Sequence, residues 1–234
     1  MTGVQTCALP IWVGVAGASV SFCDASVLDG CQVVEFVEAD ATGAYRSPIL
    51  AAGSYLVQVG APDPNPDELL GGWYRSGVAG GYTAGQASAT TIVLSTADAT
   101  ANVTLPRGLH ISGRVTRAGG IAVPDAGVTI CAAADRTLCD FVDSTTTDAS
   151  GNYRSTILGP GSYLVEVRAP FPNPDDLLDG WYRGGVSGNY AARLADAGAI
   201  TLTAADATAN VTLPKGRSEE HTSELQSRGL ISYA

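Results

Sequence analysis

The feature that most constrains this chain is an internal repeat with a fixed offset of 108 residues. ADATANVTLP occurs at 97–106 and again at 205–214, and PNPD at 64–67 and 172–175. Cys23, Cys31, Tyr45, Tyr55, Trp73 and Tyr82 map onto Cys131, Cys139, Tyr153, Tyr163, Trp181 and Tyr190 with no insertion or deletion between them. A unit of this length exceeds a solenoid repeat and fits one β-sandwich. The chain therefore reads as two tandem modules, residues 12–108 and 109–216.

Both ends break the repeat. RSEEHTSELQS at 217–227 is the translation of a DNA string used as a sequencing-library adapter, and Ile231 to Ala234 match its continuation. MTGVQTCALPI at the start translates the reverse complement of the same string. Residues 1–11 and 217–234 are thus expected to be adapter-derived, with Trp12 at the junction, and are set aside from fold reasoning. The second copy opens LHISGRVTRAGG at Leu109, and its first-copy counterpart falls inside the adapter segment. The expectation is a first module without its native first strand and a second, complete one, cut from a longer protein.

Within the second copy the strand signals are period-two. Ile111, Gly113 and Val115 alternate with Ser112, Arg114 and Thr116. Tyr163, Val165 and Val167 alternate with Leu164, Glu166 and Arg168, and Ala209, Val211 and Leu213 with Asn210 and Thr212. That is the pattern of half-buried strands. Ala118-Gly119-Gly120, Asp148 to Gly151 and Gly159-Pro160-Gly161 supply the turns. Helical periodicity is weak, and one helical turn is expected at most, after Pro174. Many short strands between Gly/Pro turns predict an all-β fold of two sandwiches.

ISGRVTRAGGIAVPDAGVTI, followed by TTTDASGNYRSTILGPGSYLVEVRAP, resembles the carboxypeptidase regulatory-like domain, whose fold is a transthyretin-like (prealbumin-like) sandwich. The matching positions are Ile111, Gly113 and Val115; Ala126-Gly127-Val128; Asp148-x-x-Gly151-x-Tyr153; and Leu158-x-Pro160-Gly161-x-Tyr163-x-Val165. The first copy keeps Asp40, Gly43, Tyr45, Leu50, Gly53, Tyr55 and Val57, with Ala52 in place of Pro160. The resemblance implies an Ig-like, non-catalytic appendage of secreted or surface proteins. It extends to adhesin stalk modules that carry a Lys–Asn isopeptide bond. Here Lys215 is the sole lysine and its first-copy equivalent is Arg107, which argues against such a bond.

Five cysteines are present. Cys7 lies in the adapter segment, and the other four form two C-x7-C pairs, Cys23 with Cys31 and Cys131 with Cys139. The alternatives are disulfides, free thiols and zinc. The spacing is wrong for a zinc knuckle and His110 has no histidine partner. Disulfides, and with them an oxidising, extracellular or cell-surface location, are the preferred reading.

The remaining chemistry is thin. The net charge is −10, unsuited to phosphate contacts, so nucleic acid is excluded as a partner. No run of about twenty apolar residues is present, so no membrane-inserting helix is expected. His110 is the one histidine outside the ends (His221 lies in the tail), which leaves a hydrolase nucleophile without a base. Acids cluster in turns rather than in a positioned pair. Asp63-Pro64-Asn65-Pro66-Asp67 has calcium-loop spacing but lacks the glycine and the closing glutamate. No catalytic residue, metal or cofactor is therefore expected.

The candidate binding residues are Trp73, Tyr74 and Tyr82 with Trp181, Tyr182 and Tyr190. Neighbours on a strand face opposite ways, so one of each Trp-Tyr pair should be exposed. Either it forms a platform for a sugar ring, or Trp completes the core and Tyr closes an edge. Asn102 and Asn210 sit in N-x-T sequons, relevant only to a eukaryotic secretory route. The preferred function is a spacer or stalk in a secreted or cell-surface bacterial protein, monomeric within a longer chain. The alternatives are a carbohydrate-binding module, or an accessory domain beside a peptidase or glycoside hydrolase. The partner would be carbohydrate or another surface protein.

Overall fold

A computed structural model of the chain describes residues 4–5, 14–27 and 30–216. Trp12, Cys7, His221 and almost all of both adapter-like segments lie outside the described residues. The fold is all-β and divides into two compact units, one reaching Leu109 with Ile157–Gly159, the other taking the rest from His110.

The second unit shows the complete module. Its strands are named with those of the first unit in chain order. In the first unit β1 is Val4–Gln5, β2 Ser19–Asp24, β3 Val33–Glu38, β4 Gly53–Gly60, β5 Gly72–Tyr74, β6 Tyr82–Thr83, β7 Ile92–Leu94 and β8 Ala99–Thr100. In the second, β9 is Ile111–Arg117, β10 Ile121–Ala122, β11 Gly127–Ala132, β12 Asp140–Thr146 and β13 Asn152–Arg154. They are followed by β14 Gly161–Arg168, β15 Gly180–Tyr182, β16 Tyr190–Ala191, β17 Ile200–Leu202, β18 Ala207–Thr208 and β19 Val211–Thr212.

One sheet of the second unit runs β12-β11-β14-β15-β16, with β17 also on β14. The opposing sheet is built around β9. β10 and β13 pair with it antiparallel, while β18 and β19 pair with it parallel. The alternation read in the sequence decides the faces. Ile111 and Val115 of β9, Val128 and Ile130 of β11, and Val165 and Val167 of β14 are all buried to 1% exposure or less. Burying an aliphatic side chain of this size stabilises by about 1.5–3 kcal/mol, so these strands dominate the core.

Gly113 is the exception on β9, and its reason is steric. A Cβ there would lie 2.1 Å from the Ala209 carbonyl oxygen and 2.8 Å from a Tyr153 ring carbon. The Tyr153 ring crosses the strand at this glycine and donates its hydroxyl to Ala209 O at 2.6 Å. Burial pushes this phenol well above its ordinary range, with Tyr182 adding to the shift.

The same sheet, β3-β2-β4-β5-β6 with β7 on β4, recurs in the first unit with equivalent registers. Tyr45 again donates to Ala101 O at 2.6 Å, and burial again raises the phenol, helped by Tyr74. The opposing sheet differs. Among the described residues only β1 pairs with β8, and its register is Val4 on Ala99. In the second unit the equivalent alanine, Ala207, pairs with Ile111. Val4 therefore stands one residue out of line with the repeat, and a one-residue slip exchanges the two faces of a strand.

The segment after Pro174 is not helical. Asn173 receives the Leu177 N–H at 3.0 Å and donates to the Leu177 carbonyl at 2.8 Å, which closes a side-chain turn instead. Asp176 within it has φ 51°, a left-handed conformation that a helix cannot continue through. Asn65 and Leu69 repeat both bonds at 2.9 Å. The short 3-10 segments lie elsewhere, at 79–81, 86–88, 118–120, 187–189 and 194–196.

Candidate functional site

The two C-x7-C pairs are disulfides, Cys23–Cys31 and Cys131–Cys139, each with Cα atoms 5.2 Å apart. Each begins on a strand and ends in the following loop. In both units the ladder to the next strand shifts register just before the first cysteine, between Phe22 and Cys23 and between Ile130 and Cys131. Phe22 faces the main core and Ile130 is fully buried, while Cys23 and Cys131 are buried among separate groups of side chains.

Those groups contain the tryptophans. Cys23, Leu56 and Trp73 form one buried cluster, flanked by Ala25, Cys31 and Ala89. Cys131, Leu164, Trp181, Ala191 and Ala197 form the other, flanked by Ala133, Cys139 and Leu194. Trp73 pairs across the ladder with Gln58, and Trp181 with Glu166, so both indoles lie on the sheet face away from the main core. They are nevertheless only 7% and 8% exposed. The disulfide loop and the turn at 86–89, or 194–197, cover them.

The cover is tied down differently in each unit. Gln86 donates to Val27 O and Gly30 O at 3.0 Å and accepts from Gly30 N–H at 3.2 Å. At the equivalent position Leu194 packs on the cluster, and Arg136 donates to Ala197 O at 3.0 Å.

The expected aromatic platform is therefore not presented to solvent by Trp73 or Trp181. One residue of each pair does face away from the core, as strand geometry requires, but a loop covers it. Tyr74 and Tyr82 pack partly buried against the main core. The Tyr82 hydroxyl donates to Gly71 O at 3.1 Å, and that of Tyr190 to Asp179 O at 2.8 Å. Tyr182 pairs with Tyr190 across the β15–β16 ladder and is likewise half-buried. Burial raises the pKa of both Tyr82 and Tyr190, the latter helped by Asp179. These tyrosines tie the short sheet edge together.

His110 lies buried at the start of β9. Its backbone N–H is bound by Asp206 Oδ1 at 2.9 Å and its Nδ1 lies 3.0 Å from Ser155 O. Its surroundings fix the chain where β9 begins. The acids of the turns cap backbone. Asp148 Oδ1 accepts the Asn152 and Ser150 N–H groups at 2.8 Å, which lowers its pKa, the Asn152 bond most. Asp40 accepts the Thr42 hydroxyl and N–H at 2.7 Å and is lowered likewise. Lys215 faces Asp176 at 3.8 Å and its counterpart Arg107 faces Glu68 at 3.0 Å, exposed ion pairs at one repeat position.

Sequence reasoning did not find the pairing of the second module's first and last strands. β18 and β19 run parallel to β9 from Ala207 opposite Ile111 to Thr212 opposite Thr116. Further bonds lock this seam. Ala207 N–H donates to His110 O at 2.9 Å, Ala209 N–H to Ser112 O and Leu213 N–H to Thr116 O, both at 2.8 Å. Arg114 N–H adds a bond to Asn210 Oδ1 at 2.8 Å, and the Thr116 and Thr212 hydroxyls meet at 3.0 Å. The signal was available, because both segments alternate, but alternation does not reveal which strands pair.

Solved structures similar to the chain include the Bacillus anthracis TIE protein, at 14% identity and a TM-score of 0.36, covering 92% of this chain and 34% of that one. The chain thus spans about a third of its length. GBS52, the minor pilin of Streptococcus agalactiae, is similar at 11% identity and TM-score 0.48, covering 93% of this chain and 98% of that one. A streptococcal ancillary pilin is similar at 15% identity and TM-score 0.44, covering 93% and 63%. No curated protein matches the chain in sequence. From His110 to Pro174 the second module matches the family model of the carboxypeptidase regulatory-like domain.

Proposed function

We propose that the modules are non-catalytic spacers of an extracellular or surface protein, built to hold their shape under tension. The observation that carries this reading is the parallel seam between β9 and β18–β19. With first and last strands parallel and adjacent, the chain enters the second module at one end of the sheet and leaves at the other. Over the stretch from Ile111 to Thr116 this separation is roughly 20 Å. A pull on the two ends then loads the seam in shear, and its hydrogen bonds must break together. Antiparallel terminal strands would instead open one bond at a time.

Two further features support the reading. Each module carries one disulfide, which belongs to an oxidising compartment. The aromatic residues that would favour a sugar site are taken up by packing, so the carbohydrate reading has no observation in its favour.

Single-molecule stretching of the whole chain tests the proposal. Unfolding of the second module should appear as a distinct force peak releasing on the order of 300 Å of chain, since each freed residue adds about 3.6 Å. Reduction should lengthen that release by the residues the disulfide closes off. Extension without a resolved peak would refute the mechanical role.

A further inference from the structure

In the first module β3 is the terminal strand of its sheet, paired with β2 along one side. The direction of its other main-chain groups follows from three bonds. The Phe36 N–H donates to the carboxylate of its own neighbour, Glu35, at 3.0 Å. Ala39, three residues on, donates instead to Ala18 O at 2.9 Å and accepts the Gly17 N–H at 3.0 Å. In an antiparallel ladder both main-chain groups of a residue turn the same way, and the direction alternates along the strand. Phe36 and Glu38 therefore turn their N–H and C=O groups away from β2.

The side chains along this edge are apolar and acidic. Val33, Val34 and Phe36 are 52%, 49% and 49% exposed. Glu38 is exposed and Glu35 half-buried, and neither β2 nor β3 carries a lysine or arginine to balance them. Edge strands are ordinarily blunted by lysine, proline or a bulge. β3 shifts register opposite Phe22 and Cys23, but from Glu35 to Glu38 it is regular and has neither residue. The repeat supplies a contrast. At the positions of Glu35, Phe36 and Glu38, β12 has Asp143, Ser144 and Thr146. Asp143 is buried and accepts the Thr156 N–H at 2.8 Å, so this stretch of β12 presents no exposed carboxylate.

We infer that β3 of the first module is a docking edge for an extended segment of a basic partner protein, which adds to the sheet as a further strand. Charge sets the occupant. The residues opposite Glu38 and Glu35 are three apart, and lysine or arginine suits both. The two between them lie opposite Val37 and Phe36 and are apolar. The pattern basic-apolar-apolar-basic reads the same in either direction. A second copy of this chain is the wrong partner, because its β3 would bring two more carboxylates to the edge of a chain whose net charge is already −10. Main-chain bonds supply affinity, as in strand addition generally, and the side-chain pattern supplies selectivity. On docking, a basic side chain draws the Glu35 carboxylate off the Phe36 N–H and leaves that donor to the added strand.

The test uses the full chain and a fluorescent synthetic peptide TKVVKT with both ends blocked. Anisotropy should show saturable one-to-one binding that weakens as salt is raised. The acidic peptide TEVVET should bind roughly tenfold more weakly or worse. Methylating the four central amide nitrogens of TKVVKT keeps its charge but blocks main-chain pairing, and should abolish binding. Glu35→Gln with Glu38→Gln should weaken binding roughly three- to thirtyfold, as the loss of two partly exposed ion pairs implies. Glutamine keeps an acceptor for the Phe36 N–H, so that loss reports charge. Phe36→Pro removes the outward donor without touching the ladder to β2 and should abolish binding with the far-ultraviolet dichroism unchanged. Hydrogen exchange should slow at Phe36 and Glu38 and not at Ser144 or Thr146. No saturable binding overturns the proposal, as does undiminished binding of the methylated peptide. Equal protection of β12 also overturns it. So does protection of β3 that grows with the concentration of the free chain, which would make a second copy the occupant.

Discussion

Replacing Cys131 and Cys139 together by alanine should destabilise the second module by about 3–4 kcal/mol while leaving its sheets intact. The disulfide joins residues 8 apart. For so short a loop the chain-entropy relation gives about 2.5 kcal/mol at 25 °C. Cys131 is also fully buried against Leu164 and Trp181, so losing its sulfur removes packing worth about 1 kcal/mol. Urea denaturation measures the sum. In a background with Trp12 and Trp73 changed to Phe, emission reports on Trp181 alone. With a slope near 1–2 kcal/mol/M the midpoint should fall by roughly 1.5–4 M. The cover over Trp181 consists of this loop and the turn at 194–197. Emission should therefore move to the red before the far-ultraviolet dichroism changes. A loss below about 1 kcal/mol with unchanged native emission would refute the claim that the disulfide holds the cover in place.

Two other outcomes follow from the buried tyrosines. Tyr153→Phe should cost about 1–3 kcal/mol, because the Ala209 carbonyl is left without its hydroxyl partner in a buried site; calorimetry would show the second module melting several degrees lower. Both Tyr45 and Tyr153 have phenol pKa values raised by burial. The neutral form is favoured in the fold, so their contribution is complete below the unfolded pKa of about 10 and is lost as pH rises above it. Absorbance at high pH should show two of the nine tyrosines ionising only as the chain unfolds. Smooth titration of all nine with the fold intact would contradict the burial.

The sequence made the modules legible because the fold is written in residues that act locally. The Asp148-x-x-Gly151 turn needs one carboxylate to accept backbone N–H groups and one residue at φ 77°. Period-two alternation in β9, β11 and β14 needs only a buried and an open face. The C-x7-C pairs needed only a loop short enough to close. What was not legible depends on contacts distant in sequence. Alternation put Trp73 and Tyr74 on opposite faces correctly. It could not show that residues 86–89, a dozen positions on, would fold back over Trp73. The Tyr45 and Tyr153 motifs marked a hairpin, but the bonds to Ala101 and Ala209 span 56 residues. The helical turn expected after Pro174 gave way to Asn173, whose side chain competes with a helix for the same N–H.

Seam and core can be separated within the second module itself. Ile130 of β11 is fully buried and lies outside the seam, so Ile130→Ala should cost about 2–5 kcal/mol of equilibrium stability. Asn210 and Thr212 bond across the seam to the Arg114 N–H and the Thr116 hydroxyl, and Asn210→Ala should cost only about 0.5–1.5 kcal/mol. If the seam is what resists a pull at the chain ends, the rupture force of the second module should fall more in Asn210→Ala than in Ile130→Ala, although its stability falls less. A rupture force that follows equilibrium stability across the two variants would mean that resistance comes from core filling in general. The parallel seam would then lose its place as the source of mechanical strength.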